Sequence, residues 1–238
     1  MSHASYRNHE HYIREEWPTA PKQTFVALAE QIAAAGLAEN ALLLDVGCAT
    51  GELIHYLGRT FPGFSFTGVD VFDELIDEAQ RRVPEARFLK ASGLELPFSC
   101  AGVFDAVTAL GVLSIFDETE LVRFWDQLLG ATRDGGWIWV LAPLNEYGVD
   151  CMIRHRKRVG GRVGDWETGW NIHSQESIAE VLEERCREFR FHPFRIGLDL
   201  PRREDPVRTW TIRTENSERQ LTNGMKLLVD HYIIEVQK

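Results

Sequence analysis

The run Asp45-Val46-Gly47-Cys48-Ala49-Thr50-Gly51 sets two glycines and a carboxylate at the point where the apolar stretch Ala41 to Val46 ends. An apolar run that meets glycine reads as a buried strand entering a tight turn. A helix opening at Gly51 adds free N–H donors and a partial positive charge, so the turn suits a carboxylate or a phosphate. A second acid, Asp70, stands 19 residues beyond Gly51, near the end of the next strand-like stretch, Phe64 to Val71. A carboxylate there can accept both hydroxyls of a ribose. Nicotinamide dinucleotides use the same geometry but want G-x-G-x-x-G. Here the chain reads Gly47-Cys48-Ala49-Thr50-Gly51-Glu52, which lacks the third glycine and sets a negative charge where a pyrophosphate would lie. A nucleoside without a pyrophosphate fits better.

The elements that must position these residues follow from periodicity. Residues 22–36 carry Phe25, Leu28, Ala29 and Ile32 at helical spacing, with Gly36 as a stop. After the strand at 41–46, helices are expected over 51–59, 73–82 and 118–132. Strands are expected at 64–71, 86–91, 104–110 and 137–142, the last after an Asp134-Gly135-Gly136 turn. Alternating strands and helices imply parallel pairing in a doubly wound α/β sheet with helices on both faces. Ligands of such sheets sit beyond the carboxyl ends of the strands. Residues 145–173 show no clear period, Ser174 reads as the N-cap of a further helix, and segments 207–213 and 226–236 are expected to close as an antiparallel hairpin.

At this point the ordered motifs resemble a known family. LLLDVGCATGEL is similar to motif I of the class I, Rossmann-like S-adenosylmethionine methyltransferases, and GVDVFDELIDEA to their second motif. Leu94-Glu95-Leu96-Pro97-Phe98, FDAVTALGVLSIF and Gly135-Gly136 resemble the later motifs, so the likeness runs through residues 40–143. It implies a seven-stranded, mostly parallel sheet with an antiparallel last strand, and S-adenosyl-L-methionine as cofactor. Gly47, Cys48, Ala49 and Gly51 are then expected around its methionine moiety, with Asp45 holding the amino group. Asp70 would take the ribose, Val71 and Phe72 the adenine flank, and Leu110 and Gly111 the floor beneath the sulfonium. Two departures stand out: Ala49 replaces the usual middle glycine, and Ser92 replaces an acid that would contact the adenine amino group. Adenine contacts then fall to Ser92, Gly93 and Leu94.

The methyl acceptor must be held by residues outside that shared core. The N-terminal stretch, with His9, His11, Tyr12 and Trp17, is expected to form a lid, with Tyr12 near the chemistry. Long irregular segments are often binding loops. Asn145, Tyr147, Trp170 and Asn171 are therefore expected to wall the acceptor pocket, and His173, whose imidazole titrates near neutrality, to act as base. The cluster Arg154-His155-Arg156-Lys157-Arg158 reads as a solvated face that could attract an acidic acceptor. A second basic group is Arg202, Arg203 and Arg208, with Arg208 facing either a carboxylate or the substrate.

The bulk chemistry bounds the class. A net charge of −10 disfavours nucleic acid and anionic lipid as partners. Cys48, Cys100, Cys151 and Cys186 form no CxxC pair, so no metal site or disulfide framework is indicated and a reducing cytoplasm fits. The polar start does not read as a signal peptide, and no transmembrane run is expected from the hydropathy. The expectation is one domain: a cap over 1–36, a cofactor core over 40–143, a substrate-side insertion over 144–173, and the rest of the sheet over 174–238. Its expected activity is methyl transfer to a small molecule at oxygen or nitrogen, by a monomer or homodimer. RNA or protein methylation, and a non-catalytic cofactor-binding subunit, are the alternatives.

Overall fold

The computed structural model describes residues 10–98, 102–156, 158–194, 210–213, 220–223 and 229–238. Arg202, Arg203, Arg208, His9 and Cys100 lie outside them. Two helices come first, α1 (Glu10–Arg14) and α2 (Gln23–Ala34). The alternating core follows: β1 (Leu42–Val46), α3 (Glu52–Thr60), β2 (Ser65–Asp70), α4 (Asp73–Arg82), β3 (Arg87–Lys90) and β4 (Phe104–Leu110). A short 3-10 turn at Leu113–Ile115 leads to α5 (Glu118–Ala131) and β5 (Thr132–Asn145). Asp117 starts α5 with a capping box: its side chain accepts from Thr119 and Glu120, and Glu120 reaches back.

Paired strands run in the order β11-β14-β5-β4-β1-β2-β3, where β11 is Glu188–Phe194 and β14 is Val229–Gln237. Only β14 runs against its neighbours, β5 and β11. The core is thus the expected seven-stranded, mostly parallel sheet with an antiparallel last strand. Side chains alternate across β1. Leu44 and Val46 pack with Val107, Ile138 and Val140 beneath Phe124, Trp125 and Leu128 of α5. Leu43, Ala106 and Trp139 turn to the other face, against Leu28 and Ile32 of α2 and Leu53 and Leu57 of α3. Helices therefore cover both faces, and a sheet apolar on both sides explains the near-continuous hydrophobic runs that marked its strands. The strand order reverses between β1 and β4, so a crevice opens beyond their carboxyl ends.

Three details depart from the sequence expectations. Strand β5 begins at Thr132, not Trp137, because Asp134-Gly135-Gly136 is a bulge within the strand: the β4 register shifts between Phe104 and Ala106. The segment after β5 is built of short ribbons. β6 (Arg154–His155) pairs with β9 (Glu167–Thr168), and inside them β7 (Arg158–Val159) pairs with β8 (Arg162–Val163). The two-residue strand β10 (His173–Ser174) then pairs with the end of β5 and opens α6 (Gln175–Leu182), with Ser174 as the N-cap. Finally, β12 (Trp210–Arg213) pairs with β13 (Gln220–Asn223), while 229–237 joins the main sheet. Among the described residues, 210–213 and 229–236 thus have other partners than the expected hairpin between 207–213 and 226–236 would give them.

Among the described residues, no helix is long and apolar enough to cross a membrane, and no His, Cys, Asp or Glu cluster could hold a metal ion.

Candidate functional site

β1 delivers the glycine turn to the crevice. Gly47 has φ 77°, and a Cβ there would lie 2.3 Å from Val112 Cγ2, so only glycine lets the two loops meet. The turn is braced from β2: the N–H groups of Gly47 and Cys48 both donate to the Val69 carbonyl, at 2.8 and 3.0 Å. Ala49 sits at φ 46°, the left-handed region that its side chain disfavours. Its N–H donates to Asp70 Oδ2 at 3.0 Å, while the Phe72 N–H donates to Oδ1 at 3.2 Å. These two bonds fix the carboxylate at the end of β2 and tie it to the turn. A carboxylate offers about four acceptor positions, so it can take further donors from a ligand.

The crevice encloses about 790 Å³ with its open mouth. Gly47, Ala49, Asp70, Val71, Phe72, Ser92, Gly93, Leu110 and Gly111 line it, and Tyr12 closes one side. Six lining residues had not been singled out: Val46, Leu75, Ala91, Val112, Ile115 and Phe116. Val112, Ile115 and Phe116 belong to the 3-10 segment after β4, whose hydrophobic GVLSIF run was the available signal. Among the described lining residues Asp70 is the only carboxylate, and no Lys, Arg or His is present. Such a wall gives a phosphate no counter-charge but suits an apolar, positively charged nucleoside. The donor set therefore fits S-adenosylmethionine, with one carboxylate to accept a ribose beside apolar walls for an adenine, and no lining cation to repel a sulfonium.

Several expected residues lie elsewhere. Asp45 is buried behind the turn and accepts a 2.8 Å hydrogen bond from Thr108 Oγ1. Burial pushes its carboxyl up to about 7; the Thr108 bond opposes the rise and the Asp70 charge adds to it. Cys48 points into the core with Ile54, Val83 and Phe88, where burial and the two nearby acids hold its thiol well above the ordinary range. Gly51 packs against Phe88 and Val83 rather than the crevice. Leu94 is core, and its N–H donates to Ser92 Oγ at 3.1 Å, so the Ser92 hydroxyl also serves its own turn.

On the acceptor side, His173 is buried away from the crevice. Its Nε2 lies 3.1 Å from the Phe116 carbonyl, and Asn171 Nδ2 donates to the same oxygen at 2.9 Å. Burial lowers the His173 pKa, opposed by that bond and by Asp150, so the ring is neutral and its Nε2–H is already engaged. These two residues clamp the pocket wall from behind. Asn145 is also internal: its Oδ1 accepts from the Tyr147 and Val149 N–H groups at 2.7 and 3.3 Å. Tyr147 is half-buried outside the crevice, and Trp170 is exposed, stacked on His155 at 5.0 Å.

The N-terminal stretch is anchored at the crevice. Arg82, at the end of α4, donates to the carbonyls of Ile13 (3.0 Å) and Glu15 (3.2 Å), and lies 5.1 Å above the Trp17 ring. Trp17 Nε1–H in turn donates to Thr50 Oγ1 at 3.3 Å, inside the glycine turn.

Comparison with known proteins agrees with this geometry. Residues 43–136 match the model of a methyltransferase domain. The chain is 23% identical over 162 residues to malonyl-[acyl-carrier protein] O-methyltransferase of Priestia megaterium, covering 67% of this chain but only 58% of that protein. To trans-aconitate 2-methyltransferase of Rhodopseudomonas palustris it is 24% identical over 225 residues, covering 78% and 82% of the two chains. Among solved structures it resembles magnesium protoporphyrin IX methyltransferase of Synechocystis with bound SAM. The TM-score there is 0.58 at 15% identity, over 97% of this chain and 90% of that one. Turn, sheet order and family match converge: residues 43–136 match a methyltransferase domain and are set in the Rossmann-like sheet of the solved methyltransferase structures.

Proposed function

We propose that the protein is an S-adenosylmethionine-dependent methyltransferase acting on a small-molecule acceptor at oxygen or nitrogen. The observation that carries this reading is the Asp70 carboxylate, fixed by the Ala49 and Phe72 N–H groups inside a crevice whose described walls hold no cation. When bound, S-adenosylmethionine supplies an electrophilic methyl group on a sulfonium. In this reading Asp70 accepts the ribose hydroxyls, Val71, Phe72 and Leu75 flank the adenine, and Ser92 and Gly93 meet its edge. Gly47 and Ala49 lie along the methionine moiety, with Asp45 acting through the turn, and Leu110 and Gly111 lie beneath the sulfur. Tyr12 and α1 form a lid that excludes water.

With the donor carrying its own leaving group, the protein's task is mainly to align the acceptor. Besides Asp70, Tyr12 is the only titratable side chain among the described lining residues. A base is needed only for an acceptor that arrives protonated. The wall thus favours an acceptor already ionised near neutral pH, such as a carboxylate. The names of the relatives, an O-methyltransferase of a malonyl group and a methyltransferase of trans-aconitate, support the same class. The test is release of demethylated cofactor over a panel of carboxylic acids, phenols and amines. Carboxylates turned over in preference are expected; turnover confined to amines would overturn the carboxylate preference, and turnover confined to transfer RNA would overturn the small-molecule assignment.

A further inference from the structure

The ribbon of β6 to β9 has a composition unlike the rest of the surface. Residues 151–173 hold five Lys or Arg against two Asp or Glu, in a chain of net charge −10. Elsewhere cations are commonly paired, as in Arg133–Asp105, Arg185–Asp126 and Lys90–Asp73. Among the described residues, Arg154, Arg156, Arg158 and Arg162 have no carboxylate partner. Arg154 and Arg156 lie instead over the ring of Trp166, 5.5 and 4.6 Å from its centroid. Of the six large hydrophobic residues exposed among those described, four are here: Met152, Val163, Trp166 and Trp170. Trp170 is also held at φ 59°. An exposed bulky side chain in a disfavoured backbone conformation gains nothing for the core, and such strain clusters at functional sites.

We propose that this ribbon is a docking surface for an acidic protein. Exposed Trp and Met beside unpaired Arg are the residue types that dominate protein interfaces and their energetic centres. The charge is complementary to an acidic partner and opposite to that of the chain as a whole, which favours steered encounter at this one patch. A compact folded partner touches the patch alone. A long nucleic acid or a lipid surface would extend past it over the acidic body, where it is repelled. The ribbon is also joined to the crevice. Cys151 and Ile172 exchange backbone hydrogen bonds of 2.7 and 3.0 Å at its root, and Asn171 grips the carbonyls of Ser114 and Phe116 on the crevice wall. A protein seated there lies beside the methyl-transfer crevice.

The surface can be tested without any acceptor. Fluorescence anisotropy would follow three labelled probes: an amphipathic helical peptide with Glu and Asp flanking a Leu stripe, oligo-dT, and phosphatidylcholine–phosphatidylserine vesicles. The peptide is expected to bind wild-type protein preferentially. Its affinity should fall about tenfold or more in Arg154→Glu/Arg158→Glu and in Trp166→Ala, and also with added salt. S-adenosylmethionine affinity, measured in parallel by calorimetry, should stay unchanged, which separates loss of docking from misfolding. Arg154→Gln, a milder change, should weaken the peptide by a smaller factor. Absent peptide binding, peptide binding indifferent to all three variants, or ribbon-dependent preference for oligo-dT or vesicles would overturn the proposal. None of these outcomes bears on the cofactor reading, which stands or falls on the calorimetry.

Discussion

Asp45 and Asp70 are close in space and set in different surroundings. Asp70 faces the crevice with two backbone N–H donors, whereas Asp45 has Thr108 and burial that drives its carboxyl to about 7. In the folded chain Asp45 therefore keeps, up to about pH 7, a proton that the unfolded chain releases near the ordinary carboxylate value of 3.8. Its contribution to stability is full below about pH 4 and is lost as pH climbs toward 7. Asn has the same shape and cannot ionise, so Asp45→Asn should unfold at a higher temperature than wild type at pH 8, with the gap closing by pH 4. The difference at pH 8 is on the order of a few kcal/mol. Parallel melting profiles across that range would show that Asp45 is not protonated in the fold. The sequence set both acids beside the turn, because Asp45 is the penultimate residue of β1 and Asp70 the last of β2. It could not say which one faces the crevice, since that depends on the alternation of β1 against helices on both sides.

At the scale of elements, the strands and helices of the core were legible because each carries a period and a terminator. Helix α4 spans the expected 73–82 and β4 the expected 104–110. β11 was missed because EFRFHPF mixes charges and Pro193 into a strand. That composition is tolerated at the edge of the sheet, where one side has no partner. The ribbons β6 to β9 were illegible because two residues hold no period. Their order comes from pairing, including a hairpin at Gly160-Gly161, and from the clamp at Phe116. The same clamp recasts His173, which the sequence offered as a base. His173→Ala should slow turnover severalfold by loosening the wall, and leave the pH profile of kcat unchanged. A profile that loses a limb in the variant would restore the base. Helix α1 makes a second element-scale prediction. Arg82 holds the Ile13 and Glu15 carbonyls, so Arg82→Ala should free the proposed lid. Limited proteolysis should then cut near Arg14 faster, and the KM for S-adenosylmethionine should rise by about tenfold with a smaller change in kcat. Equal cleavage and equal KM would remove the latch.

Over the whole molecule, one end of the sheet gathers every feature on which the account rests. The glycine turn, Asp70, the wall at Leu110 to Phe116, Tyr12 of α1 and the root of the basic ribbon meet where the strand order reverses. The motifs in the first 143 residues made that end recognisable in the sequence, because the donor site is built from contiguous strand–turn–helix units. The proposed acceptor side was not recognisable, because distant segments would assemble it: residue 12, residues 112–116, and the clamp from 171–173. The central claim concerns the donor. It is tested most directly by isothermal titration of wild-type protein and Asp70→Asn with S-adenosylmethionine and its demethylated product. Micromolar binding is predicted for wild type, weakened about tenfold or more when the charged acceptor is lost. Absence of heat with both ligands, or equal affinity in the Asn variant, would contradict it.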